Sequence, residues 1–172
     1  MKTFTFAIVA ALFMGLFAST ALAQTTVPKG NTNVGIGKPL PEFSFTDING
    51  KKITKASLPA GMPVIVFYFD PDCDHCQQEA AWITQYKEYF KGITFVWVSW
   101  SEIEMIKEFP AKHLPGVGGP MFFTKDTEFK FDSYFGYSEI PSIYVYNKNW
   151  VRTGSFREET KPEILVKFAW QQ

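Results

Sequence analysis

The chain contains 172 residues, of which 46% are hydrophobic and 17% aromatic, and its 17 basic residues balance its 17 acidic residues. This length suits one ordinary domain with a substantial core. The aromatic content excludes a disordered chain, and the zero formal charge argues against a nucleic-acid-binding protein, which needs a basic stripe.

Residues 1–23 predict a secretory signal peptide. The apolar run Phe6–Phe17 is followed by Ala21-Leu22-Ala23, a small-x-small cleavage pattern. The run is shorter than the ~20 residues that a membrane-spanning helix needs. We therefore expect cleavage and export, most simply to the bacterial periplasm, as a soluble protein. Residues 24–35 then form an irregular leader, and residues 36–172 form a single domain.

The domain is predicted to begin with a β-hairpin and a buried strand. Phe43–Thr46 alternates apolar and polar residues, Asn49-Gly50 is a strong hairpin signal, and Lys51–Thr54 supplies the returning strand. Val64–Phe69 is an unbroken run of β-branched and aromatic residues, which is typical of a strand buried on both faces. A helix then runs from the first cysteine to about Phe90.

The rest of the chain is predicted to alternate strands and helices around an aromatic segment. Ile93–Trp100 is a second buried strand, and Ser101 caps a short helix that Pro110 limits. Phe122–Tyr137 is rich in aromatic residues and has no clear periodicity. The remaining predicted elements are a strand at Ser142–Tyr146, a partner strand at 150–156 and a helix at 161–170. This order predicts one α/β domain with a mixed sheet.

The two cysteines of the chain are too few for a disulfide-rich scaffold or a four-thiolate zinc site. Both lie in Cys73-Asp74-His75-Cys76, at a helix N-terminus that follows a buried strand. Their i, i+3 spacing brings the sulfurs close enough to bridge, and the free N–H groups at a helix start stabilise a thiolate, the nucleophile of disulfide exchange. Cys73, at the exposed edge, is predicted to attack, and Cys76, one turn further, to resolve the mixed disulfide.

The charged residues around the two thiols act in opposite directions. A protonated His75 places a cation beside the thiolate and makes the couple more oxidising, whereas Asp70, Asp72 and Asp74 oppose it with negative charge. The residue pattern alone leaves the direction of electron flow open.

Ile140-Pro141 is the second candidate element of the site. Pro141 comes just before a strand that is expected at the centre of the sheet, where proline is normally excluded. A cis peptide bond explains a proline in this position, although a trans turn proline is the more common case. The combination with the Cys-x-x-Cys motif favours the cis form.

Together these motifs resemble the thioredoxin-like superfamily and, within it, the exported TlpA/ResA-like thiol–disulfide oxidoreductases with a domain of the AhpC/TSA-redoxin type. The resemblance spans about residues 36–170. It rests on Gly37-Lys38-Pro39 with Phe43, Asp47-x-x-Gly50-Lys51, Val64–Phe69, Cys73–Cys76 with Glu79, and Ile140-Pro141-Ser142 with the strand to Tyr146. It implies a thioredoxin-like three-layer α/β fold, in which helices flank a central mixed β-sheet with an N-terminal β-hairpin extension.

The resemblance also implies roles for individual residues. In the family, the proline that corresponds to Pro141 is cis and faces the disulfide, and its neighbour's backbone pairs with the bound client. Ile140 and Pro141 are therefore expected to bind substrate. Glu79 matches an acid that family members use in proton transfer, although an exposed acid that favours a first helical turn by its charge is an equal alternative. Typical members carry Trp and Pro where this chain has Asp72 and His75.

The predicted function is thus an exported thiol–disulfide oxidoreductase that exchanges electrons with protein dithiols and disulfides. Cys73 and Cys76 form its redox-active disulfide, with His75 and Glu79 as further catalytic candidates and no other cofactor. Besides client proteins, we expect a membrane or exported thiol protein as electron donor or acceptor, and no nucleic acid.

Three alternatives use the same cysteines differently. In the first, the chain binds or delivers copper or zinc through the two thiols and His75, with His113 completing the shell. In the second, the disulfide is only structural. The third, a peroxidase, is disfavoured because the expected Pro-x-x-x-Thr/Ser-x-x-Cys pattern would need Pro and Thr or Ser where Val66 and Asp70 stand.

Overall fold

A computed structural model describes residues 35–172, so the predicted signal peptide and all but the last residue of the predicted leader lie outside the described residues. The strands are β1 (Ser44–Asp47), β2 (Lys52–Thr54), β3 (Val64–Tyr68), β4 (Thr94–Ser99), β5 (Met121–Lys125), β6 (Ser142–Tyr146) and β7 (Arg152–Phe156). The helices are α1 (Asp74–Gln85), α2 (Ile103–His113), α3 (Phe131–Phe135) and α4 (Pro162–Ala169), with short 3-10 helices at Lys55–Ser57 and Lys87–Phe90.

The strands form one mixed sheet in the order β2-β1-β5-β4-β3-β6-β7. Strand β3 pairs in parallel with β4 and antiparallel with β6, and β4 pairs in parallel with β5. The Asn49-Gly50 turn folds β1 onto β2, and β1 then joins the main sheet antiparallel to β5. The predicted mixed sheet with an N-terminal hairpin extension is therefore confirmed.

Two apolar clusters cover the two faces of the sheet and give the fold its three layers. On one face, alternate side chains of β3 and β4, including Phe67 and Trp97, pack against α1, α2 and α4. On the other face, the intervening side chains, including Val66 and Val96, pack against α3 and the hairpin. Because β3 and β4 are buried on both faces, their sequences lack polar alternation.

The aromatic segment contains two elements that its periodicity did not reveal. β5 extends the parallel part of the sheet, and α3 is a helix of only five residues. Phe131 and Phe135 of α3 stack on each other at 4.6 Å between ring centroids, and Phe131 stacks on Tyr68 of β3 at 4.2 Å. Ring contacts with distant residues therefore hold this short helix in place.

Three helix boundaries differ from those that the sequence predicts. The helix after the first cysteine ends at Gln85, and a separate 3-10 helix continues to Phe90. Helix α2 starts after Glu102 rather than at a Ser101 cap, because the Ser101 N–H donates to Ser99 Oγ at 3.1 Å and Ser101 stays in the loop. Pro110 lies inside α2 and does not end it, since buried side chains on either side hold the last turn against the core.

The segment that precedes the hairpin is bound to the start of β7. The Leu40 N–H donates to the Trp150 carbonyl at 2.7 Å, and the Arg152 N–H donates to the Lys38 carbonyl at 2.8 Å. The Trp150 indole also donates to the Met62 carbonyl at 3.0 Å, just ahead of β3. Within residues 35–172, no helix has the length and apolar character that crossing a membrane requires.

Candidate active site

The two predicted site segments arrive at the same edge of the sheet. Tyr68, the last residue of β3, pairs with Ser142, the first residue of β6. The loop after β3 leads to Cys73, and the Ile140–Pro141 peptide, which is cis, leads into β6. Cys73 and Ile140 both pack against the apolar cluster under α1. The register of β3 and β6 therefore brings together segments that are far apart in the sequence.

A tight turn fixes the first cysteine at the start of α1. The Cys73 N–H donates to the Asp70 carbonyl at 3.1 Å, and the Asp72 N–H donates to Asp70 Oδ1 at 2.9 Å. Cys73 is the N-cap residue of α1, and its carbonyl accepts the Gln77 N–H at 3.0 Å. Its side chain is partly exposed, whereas that of Cys76 is buried. Access from solvent therefore favours Cys73 as the thiol that a client reaches.

The second cysteine is held as a neutral thiol. Cys76 is 1% exposed, and this burial raises its pKa strongly. A hydrogen bond with the Asp70 backbone opposes the rise, while the side chain of Cys73 adds to it. A thiol with a raised pKa keeps its proton at neutral pH, so Cys76 needs a proton acceptor before it can act as a nucleophile.

Glu79 lies one turn further along α1 than Cys76 and is fully buried. Its Oε2 accepts the Thr160 N–H at 2.7 Å, and its Oε1 has no hydrogen-bond partner among the described residues. Burial raises the pKa of Glu79 to about 8, and the negative charge of Glu159 raises it further. The hydrogen bond from Thr160 and the positive charge of Lys161 act in the opposite direction and lower the pKa. The alternative of an exposed first-turn acid is therefore wrong.

His75 is oriented by an acid that the sequence analysis did not identify. The His75 side chain is exposed, and its Nδ1 lies 2.9 Å from Glu159 Oε2 in the loop between β7 and α4. The next residue, Thr160, is the one that binds Glu79. The loop between β7 and α4 therefore contacts both His75, which is exposed, and Glu79, which is buried. The acidic pair Glu158-Glu159 marks this loop in the sequence, but only the fold shows which residues it reaches.

We expect Glu159→Gln to lower the pKa of Glu79 by roughly half a unit, the size of a single partly solvated charge contact. The sign follows from the negative charge of Glu159, which favours the protonated form of Glu79. Carbon-13 NMR of the Glu79 carboxyl would measure the shift directly. Glu163→Gln removes an exposed acid of α4 and serves as the control. An unchanged Glu79 titration in Glu159→Gln would contradict this electrostatic link.

The proposed metal ligands do not converge in the structure. Within residues 35–172, no group of three or more His, Cys, Asp or Glu side chains is placed to hold a metal ion. His75 contacts Glu159, and His113 ends α2 with its ring 4.9 Å from that of Phe109. The pKa of His113 is lowered mainly by burial, and the positive charge of Lys112 lowers it further. The placement of the donors therefore gives the metal alternative no support.

Comparison with known proteins supports the same fold. The model of the AhpC/TSA family matches residues 36–151. No curated protein sequence matches the chain. Among solved structures, a thiol:disulfide interchange protein of the thioredoxin family from Chlorobium tepidum TLS is 25% identical to this chain, with a TM-score of 0.58. The match covers 76% of this chain and 94% of that protein's chain.

Two more distant structures share the architecture. A secreted Mycobacterium tuberculosis disulfide oxidoreductase homologous to E. coli DsbE is 20% identical with a TM-score of 0.60, covering 74% of this chain and 95% of its own. A DsbF homologue from Corynebacterium diphtheriae is 18% identical with a TM-score of 0.62, covering 76% of this chain and 84% of its own. At these identities the similarity shows the fold, which is thioredoxin-like.

Proposed function

The chain belongs to the AhpC/TSA family and is a thioredoxin-like oxidoreductase, and on this premise we propose that it is an exported enzyme of thiol–disulfide exchange. The proposal assigns the exchange to Cys73 and Cys76, and its substrates are the dithiols and disulfides of client proteins. The observation that carries it is the pairing of a partly exposed thiol at a helix N-terminus with a buried thiol one turn away.

In the reducing direction, the Cys73 thiolate attacks one sulfur of a client disulfide, and the other client sulfur leaves as a thiolate. Cys76 then transfers its proton to the Glu79 carboxylate and attacks the Cys73 sulfur of the mixed disulfide. This step forms the Cys73–Cys76 disulfide and releases the second client thiolate. Two electrons pass from the enzyme to the client, and oxidation of a client dithiol is the same sequence in reverse.

Glu79 suits this proton transfer for two reasons. Its pKa of about 8 means that roughly a tenth of it is ionised at pH 7 and half at about pH 8, so its proton-accepting form becomes more populated as the pH rises through this range. Its Oε1 is buried and not engaged by any described hydrogen bond, while Thr160 holds the other oxygen. Ile140 and Pro141 lie at the same edge of the sheet as Cys73, which supports their proposed role of binding the client backbone.

Export is the second part of the proposal. Residues 1–23 carry the pattern of a cleavable signal peptide, and an oxidising compartment such as the bacterial periplasm suits a reactive pair with no other cysteine in the chain. A membrane or exported thiol protein would then supply or accept the electrons. The peroxidase activity found within such families is disfavoured, because neither cysteine has the peroxidatic sequence around it.

We expect Cys76→Ala to accumulate mixed disulfides through Cys73, because the thiol that resolves them is missing. The matched control is Cys73→Ala, which should form none, since the remaining thiol is buried and protonated. Non-reducing gels and mass spectrometry of acid-quenched mixtures would identify the adducts. If neither single variant reacted with a disulfide substrate, or if both formed adducts equally, the proposal would be refuted.

The direction of electron flow has its own measurement. The reduction potential of the Cys73–Cys76 couple can be determined by equilibration with glutathione or dithiothreitol. A value of about −270 mV, as in thioredoxin, assigns the enzyme to reduction of clients, and a value of about −120 mV assigns it to oxidation.

A further inference from the structure

A groove of about 630 Å³ opens beside the active site, along the carboxyl ends of three strands. Asp70 and Asp72 follow β3, Trp100 follows β4, and Asp126 and Phe129 follow β5. Because β3, β4 and β5 are parallel, these loops emerge at one edge, which is where α/β folds commonly bind their ligands. Asp72 directly precedes Cys73, so the groove begins one residue from the attacking thiol.

Two large aromatic side chains of the groove face solvent. Trp100 is 46% exposed and Phe129 is 74% exposed. Phe129 also has a φ of 51°, in the left-handed region that non-glycine residues rarely occupy. The buried carboxylate of Asp126 fixes this loop, since it accepts the Lys130 N–H at 3.0 Å and the Phe131 N–H at 2.9 Å. An exposed ring in an unfavourable backbone conformation is costly, and such strain is concentrated at functional sites.

The charge of the groove is strongly negative although the chain as a whole is balanced. Among residues 35–172, its lining includes the carboxylates of Asp70, Asp72, Glu102 and Asp126 but only one basic side chain, Lys125. Lys125 is already engaged, because its Nζ lies 3.3 Å from Glu102 Oε2. Glu102 is thus paired, and the buried Asp126 is held by two backbone N–H groups, so Asp70 and Asp72 are the carboxylates left to attract a cation. Together with the exposed aromatic rings they suit a cation with an apolar neighbour.

We propose that this groove selects client segments that carry a lysine or arginine and an apolar side chain close to the reacting cysteine. The inference rests on the proposed thiol–disulfide exchange and names its substrate class. The basic side chain lies against Asp72 and Asp70, and the apolar side chain packs between Trp100 and Phe129. The groove thus determines specificity, while the exchange itself takes place at Cys73 and Cys76.

The test uses the reduced protein in single-turnover reactions with two cyclic peptides, each closed by one disulfide. The peptides carry either Lys-Leu or Glu-Leu beside the cysteine and are otherwise identical. We expect the lysine peptide to react about tenfold faster at low salt. The preference should shrink at about 1 M salt, where the screening length is about 3 Å. Hydroxyethyl disulfide, which is small and uncharged, measures the intrinsic reactivity of the thiols.

Two matched pairs of variants assign the preference to the groove. Asp72 and Asp74 flank Cys73 on either side, but only Asp72 lines the groove. Asp72→Asn should lower the lysine-to-glutamate rate ratio roughly threefold, and Asp74→Asn should largely retain it. Phe129→Gly, which suits the positive φ, should lower the ratio of peptide rate to hydroxyethyl disulfide rate about fivefold. Tyr89→Ala, at an exposed aromatic residue outside the groove, is its control.

The possible results distinguish a failure of the groove proposal from a failure of the proposed thiol–disulfide exchange. Equal rates for the two peptides, or an equal effect of Asp72→Asn and Asp74→Asn, would refute the groove and leave the exchange reaction intact. No reaction with hydroxyethyl disulfide or with either peptide would refute the proposed function. In that case a lysine peptide with serine in place of cysteine still tests the groove, because its binding should shift the NMR signal of the Trp100 indole.

Discussion

The free energy of unfolding should fall by several kcal/mol as the pH rises from about 4.5 to about 8, and Glu79→Gln should remove most of this fall. The pKa of Glu79 is about 8 in the folded protein against 4.5 for an ordinary glutamate. Each pKa unit corresponds to about 1.4 kcal/mol of differential interaction between the two protonation states. Burial is the largest cause of the shift, because it disfavours the charged carboxylate.

The sign of the effect follows from proton binding. Between these two pH values the folded state holds a proton on Glu79 that the unfolded state has released. Stability therefore declines as the pH rises through this window. The contribution is fully present below about pH 4.5 and is lost by about pH 8. The groups that modulate it are the Thr160 N–H and Lys161, which lower the pKa, and Glu159, which raises it.

Urea denaturation of the reduced protein at several pH values would measure this dependence. Glutamine in place of Glu79 mimics the protonated carboxyl and can still accept the Thr160 N–H, so it should keep the stability that the wild type has at low pH. Glu163→Gln, at an exposed position of α4, should leave the pH dependence unchanged. A wild-type slope that persists in Glu79→Gln would show that another group titrates.

Trp97→Ala should lower the free energy of unfolding by about 3–5 kcal/mol, the usual cost of deleting a large buried aromatic side chain. Trp97 lies on β4, is fully buried, and stacks on Phe67 with 4.0 Å between ring centroids. Its ring also contacts Phe69, from which the chain continues to the active-site turn, and Phe123 of β5. Chemical denaturation monitored by circular dichroism would give the change.

Trp100 provides the matched control for this prediction. It lies three residues further on and is 46% exposed, so Trp100→Ala should cost less than about 1 kcal/mol. Trp97→Phe should cost less than Trp97→Ala, because it keeps an aromatic ring in the cluster. The Trp97 indole N–H also has no hydrogen-bond partner in the described part of the chain, so phenylalanine loses no bond there. Similar losses for Trp97→Ala and Trp100→Ala would contradict the assigned packing.

The interior strands β3 and β6 could be predicted because burial on both faces leaves a local signature. Val64–Tyr68 and Ile143–Tyr146 are continuous β-branched and aromatic runs, and the turn at Asn49-Gly50 is specified by its own residues. In contrast, the five-residue helix Phe131–Phe135 has no such signature. It is stabilised by rings from other strands, and sequence periodicity does not report contacts of that kind.

The candidate site shows the same division between local and distant information. The Cys-x-x-Cys motif and its helix start could be predicted because they lie within a few residues of each other. The burial of Glu79 could not, since it depends on Thr160, which is 81 residues away. The contact of His75 with Glu159 could not be predicted for the same reason, because Glu159 lies next to Thr160 in the loop between β7 and α4. Which residues line the groove likewise depends on three loops meeting at one edge.

The attachment of residues 38–40 to the start of β7 determines how the domain can be tethered. That attachment lies beside the β6–β7 turn, whereas Cys73 and Pro141 lie at the opposite end of β6. The five residues of β6 separate these two ends by roughly 17 Å. A linker, affinity tag or immobilising surface joined ahead of residue 35 is therefore attached at the end of the domain away from the thiols. An attachment made at that end keeps the point of attachment away from Cys73 and Pro141.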